Sequence, residues 1–176
     1  MPWKNLDRVM NQAQRVPSAA VQASTRAVNR TGEQTRTVLK RLLSEQTGVT
    51  QRKIADYIRA RRANYGRVEY GLSVYPHTFN IASIGRAYQG KRGVVSHAWG
   101  KTRLYPHTFL VHGITAMLRT TKRRLPIRPV YGPRIHSLFA NGQTQAALLD
   151  NVHSKMPQNL RHELDYALGR IGLKVT

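Results

Sequence analysis

Cations dominate the residues of this chain that could do chemistry. The densest run is Arg119-Thr120-Thr121-Lys122-Arg123-Arg124, which leads into Leu125-Pro126-Ile127-Arg128-Pro129-Val130-Tyr131-Gly132-Pro133. Proline disfavours helix in the residue before it. The run therefore predicts a hairpin tip at Lys122, Arg123 and Arg124, an extended stretch burying its Leu, Ile and Val, and a closing turn at Gly132-Pro133. Such a tip is suited to phosphate or carboxylate contact. A second group, Arg59, Arg61 and Arg62, sits at the end of a stretch with helical periodicity. A basic amphipathic helix suits a nucleic acid or a protein partner equally well. With Arg119 and Arg128, these residues are the candidate contacts for nucleic acid or an acidic partner.

Other chemistries lack their residues. The closest histidine pair, His107 and His112, is spaced by five, which places the two on opposite faces of a strand, and no third ligand is evident. Acid–base catalysis needs two carboxylates in one cleft, and the region richest in strand signals has none. Neither a glycine-rich dinucleotide loop nor a P-loop occurs, and no nucleophile elbow supports serine catalysis. The chain has no cysteine, which removes disulfides, thiolate metal sites and cysteine nucleophiles. No enzymatic activity, cofactor or metal is expected.

The charge balance points to a partner instead. In 176 residues, 29 Lys and Arg face 8 Asp and Glu, a formal charge of +21. A chain so charged repels itself unless something acidic neutralises it. The acids are Asp7, Glu33, Glu45, Asp56, Glu69, Asp150, Glu163 and Asp165, so none falls between Tyr70 and Leu149. That stretch holds Arg86, Lys91, Arg92, Lys101, Arg103, Arg119, Lys122, Arg123, Arg124, Arg128 and Arg134. Hydrophobic residues make up 40%, enough for a packed core. The opening Met-Pro-Trp-Lys-Asn-Leu-Asp lacks the apolar segment of a secretory signal, and no apolar run reaches the ~20 residues of a membrane span.

The elements that must position these cations fall into an α+β order: N-terminal helices, an antiparallel β-sheet (a sandwich or partial barrel) and a C-terminal helix. Leu6, Val9, Met10, Ala13 and Val16, then Ala20, Ala23, Ala27 and Val28, recur at helical spacing, with a kink or break expected at Pro17. A second helix is predicted over 31–46 on Val38, Leu39, Leu42 and Leu43, ending at Gly48. Thr50 reads as the N-cap of a third, with Val49 and Ile54 as its hydrophobic staple and Ile54, Tyr57 and Ile58 as its stripe. Strand signals follow at 68–75, 79–84, 94–99, 108–112 and 116–120. Helical spacing returns in Ala146, Leu148, Leu149 and Val152 before Pro157, and Leu160, Leu164, Ala167, Leu168 and Ile171 form a clear stripe after it. Regions 1–66, 67–140 and 141–176 thus form one domain of helix, sheet and helical extension. Tyr75-Pro76-His77-Thr78-Phe79 recurs as Tyr105-Pro106-His107-Thr108-Phe109, which a proline at a strand entry explains without a ligand.

Several of these segments together resemble the phage minor tail protein Z family. Residues 125–133 are similar to its R-x-P-I-x-x-x-x-G-P signature through Pro126, Ile127, Gly132 and Pro133. Ala27-Val28-Asn29-Arg30-Thr31 resembles its early helix motif at Asn29 and Arg30. Gly93-Val94-Val95-Ser96-His97-Ala98-Trp99 is similar to its G-V-x-x-x-x-W element at Trp99, and Phe109 to a following phenylalanine. The correspondence spans roughly residues 20 to 140. It implies a non-enzymatic virion protein, made in the host cytoplasm, that completes the tail at its head-proximal end. Implied partners are the tail tube and tail terminator proteins, the head–tail connector proteins and the genomic double-stranded DNA in the lumen, met by a homo-hexameric ring and no membrane. Charge alone also fits a stand-alone nucleic-acid-binding protein of ribosomal or nucleoid type.

Overall fold

The computed structural model describes residues 3–85, 87–170 and 172, with side chains from Gln14 onward except that of Arg86. In chain order come α1 (Trp3–Thr47), α2 (Gln51–Ala55), β1 (Ile58–Arg61), β2 (Gly71–Val74), β3 (Thr78–Asn80) and a 3-10 turn (Ile81–Ser83). Then follow β4 (Tyr88–Gly90), β5 (Gly93–Ser96), a second 3-10 turn (Ala98–Gly100), β6 (Arg103–Pro106), β7 (Thr108–Val111) and β8 (Thr115–Arg119). The chain closes with β9 (Ile127–Pro129), β10 (Tyr131–Arg134), α3 (Ile135–Phe139) and α4 (Gly142–Arg170). This is the expected α+β order, with the β region divided into four small sheets, β1–β2, β3–β10, β4–β5–β6 and β7–β8–β9. The residues gather into two compact units.

The helical unit takes Met1–Thr37, Ala60–Leu72 and Ala147–Thr176. Its core pairs the first part of α1 with α4. Ala19, Ala23, Ala27, Thr31 and Thr35, each four residues on from the last, are all buried, and Ala19 and Ala23 pack on Ala167 and Leu164. Small side chains let the two helices approach closely, and polar groups then lock them together. Asn159 donates to the Thr31 hydroxyl and the Gln34 carbonyl oxygen, both at 2.9 Å, and the Thr35 hydroxyl lies 3.1 Å from Asn151 Oδ1. Asn29 grips the Ala63 backbone twice, accepting from its N–H at 2.8 Å and donating to its carbonyl at 3.0 Å.

The β unit takes Val38–Arg59 and Ser73–Ala146. Leu39, Leu43, Val49, Ile54, Ile58, Phe79, Ile81, Ile84, Val94, Ala98, Ala116 and Ile135 are among its buried apolar residues. A second asparagine clamp holds it: Asn80 donates to the Ala116 carbonyl at 3.0 Å and accepts from the N–H groups of Ala116 at 2.8 Å and Ala82 at 3.0 Å. The Thr108 hydroxyl accepts from Val94 N–H at 2.9 Å, and the Ser96 hydroxyl donates to the Ile81 carbonyl at 2.6 Å. Gln89 accepts from Leu110 N–H at 2.9 Å, so a side chain bridges β4 and β7 where no backbone ladder runs.

Several expectations are corrected. α1 is a single helix with no break at Pro17 or before Thr31; the buried four-residue row from Ala19 to Thr35 carries it past residue 31. The expected C-terminal helix is α4, which runs through Pro157 with the Asn151 and Asn159 contacts flanking it. The side chains of Leu6, Val9, Met10 and Ala13, and all of Ile171, lie outside the described residues. Leu149, expected on an apolar stripe, is 55% exposed. The third helix stops at Ala55, and Ile58 instead opens β1, whose burial alternates by strand period. Thr50 stands at the N-cap in extended conformation, but its hydroxyl makes no capping hydrogen bond. Gly48 does end α1, at φ +74°, where a Cβ would fall 2.6 Å from the His97 carbonyl oxygen.

A candidate surface for anionic partners

The eight candidate contact residues divide between the units. Arg61 and Arg62 belong to the helical unit and are already engaged there. Arg61 Nη2 lies 2.7 Å from Glu69 Oε1, Arg67 Nη2 lies 2.8 Å from Glu69 Oε2, and Arg62 donates to Glu33 Oε1 through Nε at 3.1 Å and Nη2 at 2.9 Å. Arg36 approaches Glu33 at 3.6 Å, and Arg30 approaches Glu163 at 3.7 Å. The expected basic helix end at Arg59–Arg62 is thus corrected: these residues lie on and just after a strand, since Ile58-Arg59-Ala60-Arg61 alternates in and out. Arg59, in the β unit, rests over the Tyr75 ring at 5.3 Å.

The ion pairs set the protonation of their carboxylates. Burial pushes Glu33 upward, but the hydrogen bonds from Arg62, the nearby Tyr70 hydroxyl and the charges of Arg62 and Arg36 outweigh it and hold it below its ordinary value. Arg67, by hydrogen bond and charge, and then Arg61, hold Glu69 down as well. Tyr70 is packed so tightly on Gly32 that a Cβ there would collide with its ring. Its burial, and then the Glu33 charge, push the phenol up to about 12.

The β unit is arranged differently. By sequence it holds 16 Lys and Arg against Glu45 and Asp56, whereas the helical unit holds 13 against 6 acids, so the formal charges are +14 and +7. Among the described residues its one ion pair is Arg41–Glu45, at 3.9 Å. Its other tethered cations use neutral groups: Lys53 donates to the Ser83 carbonyl at 2.6 Å, and the Arg119 guanidinium lies 5.0 Å over the Phe109 ring.

Arg119 stands at the centre of a cationic recess. One cleft of ≈ 570 Å³ is lined by Gln89, Lys91, Arg92, Gly93, Pro106, His107, Thr108, Phe109 and Arg119. Another, also ≈ 570 Å³, shares His107 and Arg119 and continues along Thr120, Thr121 and Lys122. The expected tip is a loop of exposed residues between β8 and β9, so Lys122, Arg123 and Arg124 stand in solvent. Arg128 points the other way. Strand side chains alternate faces, and in the β7–β8–β9 register Arg128 sits opposite Leu118 while Arg119 sits opposite Ile127. Lys91 and Arg92 escaped the sequence-level set because Gly90-Lys91-Arg92-Gly93 reads only as a turn. Their signal was a cation pair at a turn tip inside the acid-free stretch, the same feature that marks Lys122–Arg124.

The model of the family described as prophage minor tail protein Z (GPZ) matches residues 3–174. The chain belongs to this family. It is therefore a structural protein of the phage tail, part of the virion, and not an enzyme. No curated protein and no solved structure matches it. The match extends beyond the motif-bearing stretch of about 20–140 to nearly the whole chain, including both long helices.

Among the GPZ-like motif residues, Asn29, Arg30, Phe109, Gly132 and Pro133 make contacts within the fold, whereas Trp99 and Pro126 are exposed. Asn29 holds Ala63 and Arg30 faces Glu163, so the early motif joins α1 to its two partners in the helical unit. Gly132 and Pro133 lie within β10 rather than in a turn. A Cβ at Gly132 would meet Ile84 Cδ1 at 2.9 Å, and Pro133 is fully buried. Ile127 is half-buried and Pro126 exposed. Leu125, expected inside, is 64% exposed. Phe109 carries Arg119. Trp99 is 43% exposed in a left-handed backbone conformation, φ +65°. Both His107 (φ +59°) and His112 (φ +51°) occupy turn positions. Among the described residues no group of three His, Cys, Asp or Glu could hold a metal ion, and no helix is long and apolar enough to cross a membrane.

Proposed function

We propose that this GPZ-family protein completes the tail at its head-proximal end. There it joins the tail tube and terminator to the head–tail connector, as a homo-hexameric ring through which the genome end passes. The observation that carries this reading is the β unit's charge of +14, held with one internal ion pair among the described residues. Cations left without carboxylates invite an external anion.

DNA alone is too small a counter-charge. Six copies of a +21 chain bring 126 positive charges, whereas a lumen about 40 Å long encloses only about 24 phosphates, at one per ~1.7 Å of duplex. The protruding Lys122–Arg124 tip is therefore assigned to the DNA. Most of the remaining cations of the β unit are assigned to acidic faces of neighbouring tail proteins. Arg61 and Arg62 drop out of the DNA-facing set, because they are already paired with Glu69 and Glu33.

Electron microscopy of particles made without the protein tests the role. The reading predicts intact head shells with tails unjoined or misjoined; normally joined, infective particles would overturn it. The nucleic-acid-binding alternative predicts tight binding to free duplex, with log affinity falling steeply against log salt. Weak duplex binding together with co-sedimentation on purified tails separates the two.

A further inference from the structure

We propose that the recess around Arg119 is a socket for an extended acidic peptide segment of a neighbouring tail protein. The inference deepens the reading that the β unit docks on acidic neighbours, and it rests on that reading.

The recess is built from rigid parts. Its walls come from two sheets: Gln89 of β4, Gly93 of β5 and Pro106 of β6 on one side, Phe109 of β7 and Arg119 of β8 on the other. Gln89 ties these walls by accepting from Leu110 N–H at 2.9 Å, and His107 N–H donates to the Arg92 carbonyl at 3.2 Å, fixing the Lys91–Arg92 turn against the β6–β7 turn. Gly93 permits the approach, since any Cβ there would collide with the Tyr105 carbonyl. Preorganised walls lower the ordering cost of binding.

The chemistry of the lining selects the occupant. Lys91, Arg92 and Arg119 supply three cations, with Lys122 of the DNA-facing tip at the outer end, and no carboxylate lines either cleft. Arg119 is oriented by the ring beneath it, which leaves its planar fork of N–H donors for a bidentate carboxylate. Pro106 adds an apolar wall of the kind a peptide's aliphatic carbons can cover. A duplex presents convex phosphate ridges, which meet protrusions such as the Lys122–Arg124 loop better than a recess. A single strand gains its affinity by stacking bases on open aromatic faces, and Arg119 already covers the Phe109 face.

The test is fluorescence anisotropy of fluorescein-labelled hexaglutamate on the full chain at about 0.15 M salt, where long-range attraction is screened. Arg119→Gln and the pair Lys91→Gln/Arg92→Gln are each expected to weaken binding about tenfold. Arg119→Lys, which keeps the charge and loses the fork, is expected to fall between wild type and Arg119→Gln. Arg128→Gln, the same charge change on the opposite face of the ribbon, is expected to stay within twofold. Circular dichroism of each variant checks the fold. Equal losses for Arg128→Gln and Arg119→Gln would overturn the proposal, reducing binding to net charge. So would an oligothymidylate of equal charge that binds more tightly than hexaglutamate and shows the same dependence on Arg119. Failure here leaves the head–tail joining phenotype untouched, and a normal joining phenotype leaves the peptide result standing, so the two readings fail separately.

Discussion

In the helical unit Glu33 meets Arg36 and Arg62, and Glu69 meets Arg61 and Arg67; in the β unit sixteen cations share two carboxylates. Both units are held by the same device, an asparagine that clamps an alanine backbone, Asn29 on Ala63 and Asn80 on Ala116. They therefore differ in how charge is handled rather than in how the fold is closed. One unit neutralises much of its charge with its own acids. The other presents cations outward from a neutral core, the arrangement expected of a surface completed by another molecule.

The comparison holds only if the β unit's stability comes from its core and clamp rather than from ion pairs. Leu43→Ala, at a fully buried position, is expected to cost about 2–5 kcal/mol in urea unfolding. A loss under 1 kcal/mol would mean that this core is not what holds the unit. Asn80→Ala removes three hydrogen bonds and is expected to cost about 3 kcal/mol, and Asn29→Ala removes two and about 2 kcal/mol, at roughly 1 kcal/mol each. Hydrogen exchange should localise the first loss to β8 and the 3-10 turn after β3, and the second to the segment around Ala63.

Charge should matter for stability mainly in the helical unit, and pH sharpens that contrast. Glu33 is held below its ordinary 4.5. The unfolded chain therefore takes up its proton first, and this stabilisation, present above about pH 4.5, is lost as pH falls through the folded value. Tyr70 works in the other direction. Its folded pKa of about 12 exceeds the ordinary 10, so its contribution is complete below pH 10 and lost as pH rises towards 12. Melting curves of wild type and Tyr70→Phe should diverge only above pH 10; parallel curves through that range would remove Tyr70 from the account. The smallest effect is expected from Arg62→Gln, under about 1 kcal/mol, because the Arg62 side chain is 69% exposed and such pairs contribute little.

Much of this was legible in the residues. The acid-free stretch, the hairpin tip and the α+β order follow from charge placement, turn chemistry and periodicity. Other features were hidden because tertiary contacts decided them. Pro17 reads as a kink or break, yet α1 continues through it as one helix. Gly132-Pro133 reads as a turn, yet it lies against Ile84 at a bulge of β10, between the Tyr131–Asn80 and Arg134–Thr78 pairs with β3. Ile58 fits a helical stripe and a strand equally well, and the Tyr75 N–H bond to the Tyr57 carbonyl, 2.9 Å, accompanies the strand that wins. The recess lay furthest from view. It joins Lys91 and Arg92 to Arg119, from different sheets, and no spacing in the chain announces that meeting.

Lysine acetylation footprinting of the protein in assembled tails against the free chain tests the central claim most directly. The account predicts that Lys91 and Lys122 of the β unit lose reactivity at least about fivefold on assembly, while Lys155 of the helical unit changes by less than twofold. Equal reactivity of Lys91 and Lys122 in both states would contradict it, because the β unit would then carry its charge uncovered in the virion.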